Sequence, residues 1–167
     1  MKKLMMVSLA AFAFVLMWAP KARAANDEAE IREVLDRWGK AFRAKNPDAV
    51  MAVYAPGNLL VAYDIVPPLA CVGREAYRKN YEEFFAQYDG PIECELRDVR
   101  IVAGADVAFL HCVERVSGTL KNGQKSELWI RATSGLRKIK GKWLIVHDHL
   151  SVPVDFETGQ AALNLKP

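Results

Sequence analysis

VAFLHCVERVSGTLKNGQKSELWIRATSGLRK, the stretch from Val107 to Lys138, alternates apolar and polar side chains on either side of Asn122-Gly123. A period of two is the pattern of a strand with one buried face, and Asn-Gly between two such runs is a strong hairpin signal. The spacing predicts one strand over Val107 to Leu120 and a second over Gln124 to Lys138. The same period extends outward in both directions. Ile92 to Val102 reads as a strand that turns at Ala103 to Asp106, and Lys142 to Val154 reads as the last strand, after a turn at Lys140-Gly141. Four strands joined by short turns make an antiparallel meander.

Upstream the period is helical. From Glu28 to Ala44, Ile31, Val34, Leu35, Trp38, Ala41 and Phe42 fall on one face. Asn46-Pro47 restarts a short helix, with Asn as cap and Pro in the first turn, and Pro56-Gly57 ends it. Leu59 to Tyr63 reads as a strand and Val66-Pro67-Pro68 as a rigid turn. A third helix is expected from Arg74 to Tyr88, with Tyr77, Tyr81, Phe84, Phe85 and Tyr88 giving it an aromatic inner face. Helices before an antiparallel sheet point to an α+β domain with the helices on one face.

The N-terminus has the three parts of an export signal: Lys2-Lys3, the uncharged apolar run Leu4 to Trp18, and Ala22-Arg23-Ala24 for cleavage before Ala25. The run is shorter than the roughly 20 residues needed to cross a bilayer. The expected organisation is a signal peptide over 1–24, one domain over 25–155 and a C-terminal tail over 156–167, in a periplasmic or secreted protein. The leader holds four of the 23 basic residues and none of the 20 acidic ones, so the remainder has a net charge of −1. No basic stripe is left to attract nucleic acid, and no membrane association is expected after cleavage. Cys71, Cys94 and Cys112 have no zinc or redox spacing and lie among apolar residues, which predicts buried thiols, with one disulfide as the alternative.

Four segments then carry a resemblance: Asp64-Ile65-Val66-Pro67-Pro68, Gly73-Arg74-Glu75-Ala76-Tyr77, Gly141-Lys142-Trp143, and His147-Asp148-His149-Leu150-Ser151-Val152-Pro153. In this order they resemble the SnoaL-like branch of the nuclear transport factor 2-like superfamily. The last strand also resembles the association (hub) domain of calcium/calmodulin-dependent kinase II, with its Gly-Lys-Trp turn and His-x-His-x-Ser strand. The resemblance implies a cone: a curved antiparallel sheet wrapped around three N-terminal helices, its concave face forming a pocket with an apolar floor. Proteins of this fold include ketosteroid isomerases, polyketide cyclases, dehydratases, ligand-binding hubs and transport adaptors, so the fold by itself does not name an activity.

Asp64, behind the apolar run Leu59 to Tyr63, is similar in placement to the general-base aspartate of the isomerases. A carboxylate beside an apolar pocket can take a proton next to a carbonyl. Its alternative role is a turn aspartate bonded to its own backbone. The isomerases' first-helix tyrosine corresponds to Trp38, and their second, protonated carboxylic acid has no clear counterpart, which argues against steroid isomerisation.

Strict alternation in the last strand puts Trp143, Ile145, His147, His149 and Ser151 on one face, and Leu144, Val146, Asp148, Leu150 and Val152 on the other. Likeness to the hub turns the second set toward the pocket, together with Glu114 and Ser134. The hub's pocket arginines correspond to Glu114, Ser134 and Leu150, so its carboxylate-ligand binding does not carry over. Asp64, Glu114 and Asp148 form the candidate catalytic set, and Trp38, Tyr54, Tyr77, Tyr81, Ser134 and Leu150 the candidate ligand wall. His147 and His149 share a face but lack an evident third ligand, so no metal is expected, and no cofactor.

Two functions remain open: an enzyme that moves protons on a small apolar carbonyl compound in the manner of an isomerase, cyclase or dehydratase, and a ligand-binding or hub-like assembly domain without chemistry. Under the same alternation, Phe109, Trp129, Trp143 and Ile145 form an apolar patch on the convex face, which predicts a homodimer built sheet against sheet.

Overall fold

The period of two from Tyr88 onward becomes a long meander in the computed structural model, which describes residues 25–167. Strand β3 runs Tyr88–Ala103, β4 Val107–Leu120, β5 Lys125–Ile139 and β6 Lys142–Ser151, each antiparallel to the next. Two short strands complete the sheet: β1, Val61–Tyr63, and β2, Cys71–Val72. The order is β2-β1-β6-β5-β4-β3. β1 lies parallel to β6, with Val61 beside His147 and Tyr63 beside His149, so the sheet is mixed rather than wholly antiparallel. The pair Cys71–Val72 was not apparent from so short a run. Residues 57–60 form a 3-10 turn and its exit, which shortens the strand expected from Leu59.

Helix α1 covers residues 25–43, α2 Pro47–Met51 and α3 Arg74–Phe85. The Asn46 side chain caps α2 by accepting from the Ala49 amide at 3.0 Å, and Pro47 fills the first turn. The apolar stripe of α1 is buried through Ile31, Val34, Trp38, Ala41 and Phe42. α3 buries Tyr77, Tyr81 and Phe85, and these rings pack on Trp38, Phe42 and Tyr54 between helices and sheet. All three cysteines are buried free thiols. Pro67-Pro68 is a cis peptide within the turn expected there. The tail returns to the sheet, where Lys166 pairs with Glu127 at 2.5 Å.

The strict alternation expected for β6 does not hold. Gly135 pairs with His147, but Leu136 pairs with Ile145, so β6 carries a bulge at Val146. A bulge inserts one residue and switches the faces of everything beyond it. Trp143 and Ile145 therefore point inward, each 2% exposed, while His147 and His149 stay on the convex side. The convex patch loses Trp143 and Ile145. It keeps Phe109 and Trp129, and gains Val102 and Tyr63, of which Phe109, Val102 and Tyr63 are exposed and Trp129 is half-buried beneath the Arg97 guanidinium. The signal peptide expected over 1–24 lies outside the described residues; among these, no helix is long and apolar enough to cross a membrane.

Inward Trp143 and Lys138 fasten the first helix to the sheet. Asp27, 1% exposed, accepts from Lys138 Nζ at 2.6 Å and from Trp143 Nε1 at 3.2 Å, and Lys138 also meets Glu30 at 2.9 Å. Removing one partner strands a buried charge or donor. Asp27→Ala is expected to lower unfolding free energy by about 3 kcal/mol in urea titration, with the urea midpoint shifted and the slope kept. A change under about 0.5 kcal/mol, the size of an ordinary surface substitution, would show that the pair does not hold the helix.

Candidate functional site

A cavity of about 410 Å³ opens between the concave face and the helices. Asp64, Glu114 and Asp148 all line it, as do Trp38, Tyr54, Tyr77, Tyr81, Ser134 and Leu150. The meander accounts for much of this. Glu114 on β4, Ser134 on β5 and Asp148 on β6 point to the same side, and Ser134 and Asp148 are direct cross-strand partners. The bulge lets Asp148 share that side with Ile145, three residues earlier. Tyr54 arrives differently. Ile145 donates its amide to the Val53 carbonyl at 3.0 Å and accepts from the Ala55 amide at 2.8 Å, which lays residues 53–55 along the edge of β6.

Asp148 is the hub of the polar network. Its Oδ1 accepts from Ser134 Oγ at 2.5 Å and its Oδ2 from the Tyr54 hydroxyl at 2.6 Å. The Tyr54 and Tyr81 oxygens are 3.1 Å apart, and Trp38 Nε1 donates to the Tyr81 oxygen at 3.1 Å. A phenol has one proton. Because Tyr54 spends its proton on Asp148, Tyr81 must donate to Tyr54. The chain therefore runs in one direction, from the Trp38 indole through Tyr81 and Tyr54 to the carboxylate. Trp38 thus supports Asp148 through two phenols and does not offer its N–H to the cavity.

Glu114 is treated differently. It is 5% exposed, as is Asp148, yet its only hydrogen bond among the described residues comes from the Cys94 thiol to Oε1 at 3.7 Å. Desolvation, and then the nearby Asp148 carboxylate, push its pKa up to about 8. Asp148 is also raised by desolvation, but the Ser134 and Tyr54 hydroxyls and the His147 charge hold it to about 6. Near neutrality one carboxyl is protonated and the other ionised. Desolvation also keeps Cys94 and Cys112 protonated, Cys112 with a pKa of about 12.

Asp64 sits where half-buried and exposed residues of the 64–67 turn, with exposed Glu83 and Gln87, form the rim. Its Oδ1 accepts from the Ile65 amide of its own turn at 2.7 Å, and the residue lines the cavity. Its Oδ2 accepts from Asn80 Nδ2 at 2.8 Å, and burial raises its pKa. Asn80 and Cys94 were not among the residues singled out. Asn80 follows Tyr77 by three on α3, so helical spacing alone could have flagged it as a polar member of an aromatic stripe. Nothing in the sequence marks the Cys94 thiol as the partner of Glu114.

His147 turns its Nδ1 to the Val61 carbonyl at 2.8 Å, and both His147 and His149 meet the Tyr63 ring on the convex side. Among the described residues, no group of three or more His, Cys, Asp or Glu is gathered closely enough to hold a metal ion.

The family model for the SnoaL-like domain matches residues 31–155. The chain belongs to the SnoaL-like domain family, within the nuclear transport factor 2-like fold. Its structure is similar to an NTF2-like protein of unknown function from Pseudomonas putida KT2440, with 32% identity, a TM-score of 0.78, and coverage of 86% of this chain and 99% of that one. It is also similar to a candidate calcium/calmodulin-dependent protein kinase II association domain from Xanthomonas campestris, at 28% identity, TM-score 0.64, covering 73% of this chain and 84% of that one. A candidate dehydratase of the NTF2-like family from Streptomyces avermitilis shares the fold at 16% identity and TM-score 0.69, covering 79% of this chain and 99% of that one. No curated protein sequence matches.

The Glu114 environment makes a stability prediction. A carboxyl whose folded pKa exceeds its unfolded value binds more protons folded than unfolded across that interval, so stability falls as pH rises through it. For Glu114 the interval runs from the ordinary 4.5 to about 8. Glu114→Gln cannot ionise, so it should match the parent below pH 4.5 and exceed it in melting temperature above pH 8. A gap that stays constant across this range would rule out a protonated Glu114.

Proposed function

We propose that the protein is an exported, cofactor-independent enzyme that moves protons on a small, largely apolar carbonyl compound, as isomerases, cyclases and dehydratases do. The observation that carries this reading is the pair Asp148 and Glu114, two equally buried carboxyls in one apolar cavity, the first hydrogen-bonded by Ser134 and Tyr54 and the second met only by a distant thiol. Environments that push two acids apart are how one site supplies both a base and an acid near neutral pH. Asp148 is the base. Ser134 and Tyr54 orient it, and protonation relieves the cost of its burial. Neutral Glu114 donates to the carbonyl oxygen as charge develops there. Burial and then the Asp148 charge favour the neutral form of Glu114, and Asp64, bonded to Ile65 and Asn80 at the rim, adds a smaller share.

Exchange of deuterium from solvent into the carbons beside the carbonyl, followed by NMR across a panel of small apolar ketones, tests this directly. At least one ketone should exchange faster with the protein than in buffer, and Asp148→Asn should lower that rate by about a hundredfold or more. The pH–rate profile should be a bell with its limbs near 6 and 8. No acceleration for any ketone would remove the enzymatic reading and leave the ligand-binding, hub-like alternative. Exchange lost in Asp64→Asn but kept in Asp148→Asn would return the base to Asp64.

Export and pairing belong to the same proposal. Lys2-Lys3, the apolar run and Ala22-Arg23-Ala24 support a leader cleaved before Ala25 and a periplasmic or secreted location. Exposed Phe109, Val102 and Tyr63 on the convex face support a homodimer through that face. Light scattering at micromolar concentration should give twice the mass of one mature chain, and Phe109→Arg should give a monomer. A parent that is already monomeric would refute the pairing.

A further inference from the structure

We propose that the molecule this cavity takes carries a cationic nitrogen, an ammonium or alkylammonium on a small apolar body, received by the carboxyls of Glu114, Asp148 and Asp64. The inference rests on the reading of the cavity as a small-molecule pocket and names the class of compound it selects.

Charge is the first observation. Asp64, Glu83, Glu114 and Asp148 line the cavity, and no lining residue among those described is Lys, Arg or His. Two basic side chains on neighbouring stretches are directed elsewhere: Arg43 donates to the Cys94 carbonyl at 3.2 Å, and His147 bonds the Val61 carbonyl from the convex side. An anionic ligand would meet no opposite charge here and would face ionised Asp148 in a desolvated space, where such repulsion is far stronger than in water.

The second observation is Glu114. Buried carboxyls normally have their oxygens satisfied. Here Oε1 has only the long thiol contact, and Oε2 has no hydrogen-bond partner among the described residues, although the residue faces the cavity. That oxygen is a hydrogen-bonding position left to the cavity.

The third is the balance of donors and acceptors. The protons of Tyr54, Tyr81, Ser134 and the Trp38 indole are already committed to the network that ends on Asp148. What remains for a ligand is the Glu114 carboxyl, the carboxylates of Asp148 and Asp64, the Tyr77 hydroxyl, and the faces of Trp38, Tyr77, Tyr81 and Phe84. Aromatic faces attract cations, and carboxylates accept from N–H. The wall therefore favours positive charge, and a cation seated beside Glu114 would draw that carboxyl to its ionised form.

Benzylamine, benzyl alcohol and benzoate share one apolar body and differ in head group, so calorimetric titration of the protein with each at neutral pH and low salt separates charge from shape. Benzylamine should bind at least about tenfold more tightly than benzyl alcohol, and benzoate should give no binding heat. Glu114→Gln should erase most of the amine's advantage while leaving the alcohol's affinity in place. Asp148→Asn gives a second reading of the same loss if Glu114→Gln does not fold. Equal or tighter binding of the alcohol, or any preference for benzoate, would overturn the amine while leaving a small-molecule pocket intact. Silence from all three probes would overturn the amine and the pocket together, and an unchanged preference in both variants would show that these carboxyls do not receive the cation.

Discussion

The polar network of the cavity depends on Asp148 being inward, and one extra residue in β6 puts it there. Without the bulge at Val146, a strand that buries Trp143 and Ile145 would turn Asp148 to the convex side. With it, the same ten-residue strand buries Trp143 and Ile145, the former against Asp27 of α1, and then delivers a carboxylate to the cavity. Gly135 sits opposite the irregularity, where a Cβ would make only an ordinary van der Waals contact, 3.5 Å from that of His147. The core and the site are thus built from one strand without competing for the same face.

Burying a carboxylate is expensive unless it is hydrogen-bonded. Asp148 has its two oxygens met by Ser134 and Tyr54, and the Tyr54–Tyr81–Trp38 chain extends that support into both long helices. The aromatic residues of α1 and α3 therefore do two things: their rings fill the space under the sheet, and their polar edges stabilise one charge. Glu114, 5% exposed like Asp148, lacks this support, and the difference in partners rather than in burial separates the two acids. This is a familiar way for a protein to obtain an acid and a base from chemically similar side chains.

The fold itself places few limits on chemistry, because proteins that share it differ in what lines the concave face. In this chain the lining is acidic and aromatic, and nearby basic side chains are engaged elsewhere, Arg43 on a backbone carbonyl and Lys138 on Asp27 and Glu30. That distribution, more than the curvature of the sheet, distinguishes the cavity.

Much of the architecture was legible in the sequence because it rests on local rules. Periodicity located the four meander strands, Asn46-Pro47 announced the cap of α2, and Asn122-Gly123 the central hairpin. Asp64, Glu114 and Asp148 could be singled out as acids on apolar elements, and all three line the cavity. What the tertiary structure decided are matters that no local pattern encodes. A bulge is set by the partner strand, so strict alternation misplaced Trp143 and Ile145. The parallel pairing of β1 with β6 joins segments more than eighty residues apart, and β2 is too short to have a period. The direction of the Trp38–Tyr81–Tyr54–Asp148 chain depends on which hydroxyl has a proton to spare, which follows only once the four side chains are side by side. Residue types and their spacing determined which groups could enter the interior, and packing across the sheet decided which of them meet.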